Sequence, residues 1–333
     1  MSQIISQRQA TDIHAVQPIA SIKNLPVNLF ASVMGISGLV LAWRQASHQF
    51  GASPFISEAI GLIAVIVFLI LSFSYAIKAI KYSEVVKQEF NHPIAGNFFG
   101  TITIATLLIS SVIAPLSHLA AEMIWTVGAL STIALALIIV NRLLKGKIDP
   151  AYALPAWIIP SVGTLDIPVT GSRMPMAWAH ELNLFSLAVG SMLALIFFTM
   201  IMSRLIHQEK IAGPMTPSLM ILIAPFEVGF LAYINVTQQI DMFAALLFYF
   251  GLFLFFVIAF KVFDKGISFS AGWWAISFPL AALANAALEY ATYVHLWPIT
   301  ALAILLLGFL SIVILILAIR TLHILANGKL LSA

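Results

Sequence analysis

Ten apolar runs, each near the length that crosses a lipid bilayer, divide the chain. They cover Pro26–Ala46, Ile56–Ala79, Phe98–Pro115, Glu122–Val140, Tyr152–Val169, Trp178–Met202, Pro217–Val236, Met242–Phe263, Ala271–Ala291 and Trp297–Leu322. A run of about 20 apolar residues spans the hydrocarbon core as a helix. In lipid each backbone N–H needs a partner within its own segment, which predicts helix throughout. The alternation of a barrel strand is missing. The fifth run is short and holds Pro155, Pro160, Gly163, Asp166 and Pro168. The expected organisation is a tail over 1–25, a ten-helix membrane domain over 26–323 and a tail over 324–333. The first 25 residues read as a short flexible tail rather than a cleaved signal.

The odd runs differ from the even ones. The third ends at Pro115, the fifth carries Pro155 and Pro160, the seventh Pro225 and the ninth Pro279. The first has Gly35 and Gly38 instead. Proline removes a backbone hydrogen bond and bends a helix. Such breaks are tolerated in a membrane where backbone faces protein or a water-filled cavity. The odd helices are therefore expected to form an inner ring and the even ones an outer ring, as five hairpins around an axis. The alternative is that proline is simply commoner in membrane helices.

Charge orients the chain. Of the 16 Lys and Arg residues, Arg44 and Arg173 fall on one side of the expected topology and the remaining 14 on the other. The basic side is expected to be cytoplasmic, with both termini there. Only 9% of the 333 residues are charged and 61% are apolar, which excludes a large soluble catalytic domain. Cysteine is absent, which excludes disulfides, thiolate metal sites and cysteine nucleophiles. The net charge of +3 does not point to nucleic acid.

Few residues carry candidate chemistry. Thr103, Thr106 and Ser110 share a helix face, either as a hydroxyl-lined pore wall or as a helix contact. Glu227 lies about ten residues into the seventh run, roughly 15 Å deep at 1.5 Å per residue. An acid at that depth is a functional candidate for pore lining or coupling. Asp166 is the second candidate. Glu122, Glu289, His118, His180 and His295 fall nearer the interface. No phosphate-binding loop, nucleophile elbow, HExxH motif or paired intramembrane aspartates occur. No cofactor or metal is expected, and an enzyme or a purely structural protein is disfavoured against transport.

Longer segments carry a resemblance. The ninth run reads Gly272-Trp273-Trp274-Ala275-Ile276-Ser277-Phe278-Pro279-Leu280. The first ends Gly38-Leu39-Val40-Leu41-Ala42-Trp43, the fifth opens Tyr152-Ala153-Leu154-Pro155, and the seventh has Ile223-Ala224-Pro225 and Leu231-Ala232-Tyr233. The tail has Gly328-Lys329-Leu330-Leu331. Together these resemble the TehA/slow-anion-channel family, also called the tellurite-resistance/dicarboxylate transporter family, over all ten runs.

The resemblance implies an all-α homotrimer with one pore per protomer. Each protomer would have five helical hairpins in quasi-fivefold symmetry, with the odd helices lining the pore. It implies a phenylalanine plug, here Phe278, and passage of small anions such as chloride or nitrate. The alternative it implies is export of C4-dicarboxylate, sulfite or tellurite-type oxyanions, which Glu227 would couple to protons. Glu227 stands where the family pattern is apolar. The expected location is the plasma membrane, the inner membrane if the source is bacterial.

Overall fold

The computed structural model describes residues 20–264 and 266–332. Residues 1–19 of the expected tail, with Arg8, and also Lys265 lie outside the described residues. Eleven α-helices follow in order: α1 Ala31–Phe50, α2 Pro54–Lys81, α3 Ser83–Asn91, α4 Gly100–Ile113, α5 His118–Leu144, α6 Ile159–Gly171, α7 Ala179–His207, α8 Ala224–Thr237, α9 Met242–Val262, α10 Ser277–Val294 and α11 Trp297–Ala326. The described residues contain no strand.

Five helices, α1, α4, α6, α8 and α10, form a closed inner ring. Each packs against the next, and α10 returns to α1. The outer helices α2, α5, α7, α9 and α11 each pair with the inner helix before them and lean on the following one. This is the expected arrangement of five hairpins. Each outer helix buries one stripe at helical spacing. In α7 that stripe is Ala179, Asn183, Ser186, Gly190, Ala194, Phe197 and Ile201. Small residues let backbones approach, which is how helices associate in lipid. A Cβ at Gly190 would overlap Thr164 and Leu165 of α6. The remaining faces of the outer helices expose large apolar side chains such as Leu69, Phe73, Leu195 and Leu305, as contact with acyl chains requires.

Among the described residues nine helices are long and apolar enough to cross a membrane. The expected fifth span falls short on length. Its helical stretch, Pro155–Ile158 followed by α6, is compact, and almost every residue of α6 is buried among its neighbours. Helix α3 was not expected. It lies in the connection between the first two hairpins, too short and polar to leave a periodic apolar signal.

Each inner α-helix begins partway along its own segment. A 3₁₀ stretch precedes it: Val27–Phe30, Ala95–Phe99, Pro155–Ile158, Gly213–Ile223 and Ala271–Ile276. Pro160, Pro225 and Pro279 sit in the first turn after the change of helix type. There an N–H has no α-helical acceptor to lose, so proline costs little. These prolines mark junctions between two helix types rather than kinks within one.

Gly35 and Gly38 correct the expectation for α1. They do not break it, because the helix runs unbroken through both. A Cβ at Gly35 would overlap Ser277, and one at Gly38 would overlap Ala281. Their role is the close approach of α1 to α10. Pro115 lies in the turn just after α4.

The two ends of the described chain meet. The Ser21 backbone N–H donates to the Leu331 carbonyl at 3.0 Å, and the Asn24 side chain donates to the same oxygen. That side is called the terminal face below, and the opposite one the far face.

Candidate functional site

Two cavities lie along the ring axis. The larger, of about 810 Å³, is a vestibule at the far face, walled by all five inner helices. The smaller, of about 30 Å³, sits at the level of the junctions, among Ala31, Thr101, Ile159, Ala224 and Pro279. It has room for a water or two and its wall is almost wholly apolar. Phe278 is the one residue on the wall of both.

The position of Phe278 follows from its neighbours in sequence. The Ser277 hydroxyl donates to the carbonyl of Trp274 at 2.7 Å and lies 3.1 Å from that of Ala31 on α1. Pro279 fixes its own φ. The backbone is thus held on both sides of Phe278, and the freedom left is rotation of the ring. That ring is 7% exposed and makes no ring–ring contact among the described residues.

The vestibule wall grades from apolar to polar toward its mouth. On α10 the facing residues are Phe278, Ala281, Asn285 and Glu289, and on α1 they are Gly38, Leu41, Gln45 and His48. Both spacings keep one helix face on the axis. Asn285 donates to the carbonyls of Gly38 and Ala281 at 2.9 and 2.8 Å, stitching α10 to α1.

Arg44 and Arg173, the two exceptions to the basic-residue split, both line this vestibule. Arg44 donates to the Ser111 carbonyl at 2.7 Å and also to that of Val112. These are end carbonyls of α4, whose negative dipole end would otherwise face the cavity. The arginine cancels it. Glu122, Asp166, Glu289, His48 and His118 share the wall, so the charge there is mixed. Among the described residues no group of three His, Asp or Glu is placed to hold a metal ion.

The candidates read from sequence separate here. Phe278, Asp166, Pro115 and Gly38 line the vestibule, and Pro279 lines the smaller cavity. Asp166 is fully buried, and neither carboxylate oxygen has a hydrogen-bond partner. Glu227 faces away from both cavities. Its carboxylate rests on Gly251 of α9, where a Cβ would overlap it. Both its oxygens are unpartnered too.

Thr103, Thr106 and Ser110 line neither cavity. Each hydroxyl donates back to its own helix, to Gly100, Ile102 and Leu107. The axial face of α4 is instead Thr101, Ile104, Leu108 and Ser111, with Pro115 in the turn that follows. Sequence reasoning missed Arg44, Arg173 and Asn285 as vestibule residues. The signal for the two arginines was their isolation on the side poor in basic residues.

Comparison with known proteins agrees with this architecture. The profile of the family described as voltage-dependent anion channel matches residues 24–322. The chain is 26% identical over 310 residues to the tellurite resistance protein TehA homolog of Haemophilus influenzae, covering 92% of each chain. It is 26% identical over 309 residues to the S-type anion channel SLAH3 of Arabidopsis thaliana, covering 89% of this chain and 48% of that one. It is 27% identical over 298 residues to the guard cell S-type anion channel SLAC1 of the same plant, covering 86% of this chain and 53% of that one. The chain thus spans about half the length of these plant relatives. With a profile matched from the first lead-in to the last helix, the chain belongs to the SLAC1 family of multi-pass membrane anion channels and transporters.

Proposed function

We propose that the protein is a channel for small anions of the chloride or nitrate kind, with a pore along the axis of the inner ring and Phe278 as its plug. The observation that carries this reading is the shared wall. Phe278 alone lies between a wide vestibule and a small apolar space at the junction level. An apolar constriction closes to ions by sterics and by excluding water. The ring can clear the axis by rotation while Ser277 and Pro279 keep the backbone in place.

Arg44 and Arg173 bring positive charge to the vestibule wall beside the acids Glu122 and Glu289, so the entry is of mixed charge and not closed to anions. Orientation follows from the charge split, with the terminal face in the cytoplasm and the vestibule outside. The protein then works as a homotrimer of separate pores in the plasma membrane, on the strength of the family resemblance. Export coupled to protons through Glu227 loses its support, because that carboxylate packs against α9 rather than the axis.

The test is planar-bilayer recording of the purified protein in single-anion solutions. Phe278→Ala is expected to raise anion conductance strongly while the protein remains folded. An unchanged current in a well-folded Phe278→Ala variant would remove Phe278 from the gate.

A further inference from the structure

Asp166 is the one carboxylate of the inner ring that is wholly buried, lines the vestibule and has no partner for either oxygen. It lies seven residues into α6 and Phe278 one residue into α10, each counted from its junction. Six residues of α-helix put it roughly 9 Å toward the far face from the Phe278 level. An anion entering from that face passes the level of Asp166, whose carboxylate lies just behind the wall without accessible surface, before it reaches the plug.

The neighbours do not compensate its charge. The Thr170 hydroxyl, one turn on, donates to the backbone carbonyl of Asp166 at 2.8 Å, and that of Thr164 donates to the Ser161 carbonyl, so neither is offered to the side chain. From α1, Arg44 faces the same cavity but is held by the α4 carbonyls, and His48 is exposed near the mouth. From α5 come His118 and Glu122, from the turn after α6 comes Arg173, and from α10 comes Glu289. Helices α4 and α8 bring no titratable side chain to the cavity, and Glu227 on α8 points to α9. His180 and Glu181 of α7 are exposed and off the wall. No ion pair to Asp166 exists among the described residues.

A buried, unpartnered carboxylate is relieved by a proton or by a cation. A cation needs further ligands, and the described residues hold no group of three or more His, Asp or Glu placed to bind one. We propose that Asp166 is a proton-binding site on the anion path, and that an anion passes its level only while the carboxyl carries a proton. The protonated group is neutral and, from just behind the vestibule wall, sets no repulsive field against the anion. The ionised group repels it. The proton comes from vestibule water and returns there, so acid on the far face opens this level and alkali closes it. This rests on the pore proposed above and adds an outer proton dependence to it.

The experiment uses full-length protein in planar bilayers and liposomes, with chloride as the probe and Phe278→Ala as the background that removes the plug. With Asp166 present, current is expected to rise on acidifying the vestibule side alone. On the alkaline side of the titration it should fall about tenfold per pH unit, as the protonated fraction does. Asp166→Asn is expected to conduct at all pH values as its parent does in acid. Asp166→Glu should restore a pH dependence, which separates titration from a fault of folding. Current that keeps its pH dependence in Asp166→Asn, or lacks it in the parent, overturns the proposal. Infrared difference spectra of the same samples read the carboxyl without any current. A protonated-carboxyl band that titrates and vanishes in Asp166→Asn supports the site, and a band that ignores pH overturns it. If Phe278→Ala carries no chloride at any pH, the channel reading fails, and the infrared result still decides Asp166.

Discussion

The carboxylate of Glu227 lies against the bare Cα of Gly251, so that the only room for this acid at its depth is the absence of a side chain on α9. The two positions are matched. Gly251→Ala is expected to destabilise the protein by about 1–3 kcal/mol, the usual cost of overpacking a filled site. Glu227→Gln keeps the shape and should leave anion current and its pH response unchanged. Thermal unfolding in detergent reads the first expectation and bilayer recording the second. A loss of pH response in Glu227→Gln would return this residue to the conduction path.

A second matched pair holds the start of α1. Glu89 of α3 accepts from the Val27 backbone N–H at 3.1 Å, from the Tyr75 hydroxyl at 2.9 Å and from Lys78 Nζ at 2.6 Å. Lys78 is 3% exposed and also donates to the Leu25 carbonyl. Glu89→Ala strands a buried cation and is expected to cost about 3–5 kcal/mol. Lys78→Met combined with Glu89→Leu should recover most of that loss. Equal stability of the single and double variants would show that the ion pair is not what anchors the lead-in.

Arg44 joins structure to conduction. Its removal leaves the Ser111 and Val112 carbonyls unpaired beside the vestibule, at about 1.5–3 kcal/mol for a charge-assisted bond. It also removes positive charge from the entry. Arg44→Ala in the Phe278→Ala background is expected to lower both melting temperature and chloride current. Arg44→Lys keeps the charge without the two-pronged geometry. It should keep the current and lose part of the stability. Current unaffected by Arg44→Ala would confine this residue to capping α4.

The orientation proposed from charge has a direct reading. A reporter fused after Ala333 is expected to be active only in its cytoplasmic version. Periplasmic activity at that position would overturn the assignment of the terminal face.

The ring was legible because three inner helices carry proline well inside their apolar runs, whereas Pro54 and Pro298 of the outer α2 and α11 stand at the ends of theirs. Pro160, Pro225 and Pro279 therefore tag three of the five inner helices. The same logic misled at Gly35 and Gly38, because glycine loosens a helix but also admits a neighbouring backbone, and sequence does not distinguish the two uses. The Thr103–Thr106–Ser110 stripe shows a second limit. Spacing fixes which residues share a face, not what that face meets, and a hydroxyl on a helix can satisfy itself on its own preceding turn. The axial stripe of α4 mixes polar Thr101 and Ser111 with apolar Ile104 and Leu108 and offers no signal. Asp166 and Glu227 looked alike in sequence. The structure separates them through their neighbours, the vestibule wall for one and Gly251 for the other.

The 3₁₀ lead-ins change what a residue is worth in length. A 3₁₀ helix rises about 2.0 Å per residue against 1.5 Å for an α-helix. Gly213–Ile223, with 11 residues, therefore extends about 22 Å where α-helix would reach about 16 Å. Pro155–Ile158 and Ile159–Gly171 hold 4 and 13 residues. Together they cover about 27 Å, within a few ångströms of a hydrocarbon core about 30 Å thick. The segment that fails a residue count is adequate by distance. A span count that demands a minimum number of helical residues returns nine among the described residues, while ten apolar runs and five inner–outer helix pairs are present. An even number then reads as odd, and the far terminus is assigned to the wrong side of the membrane.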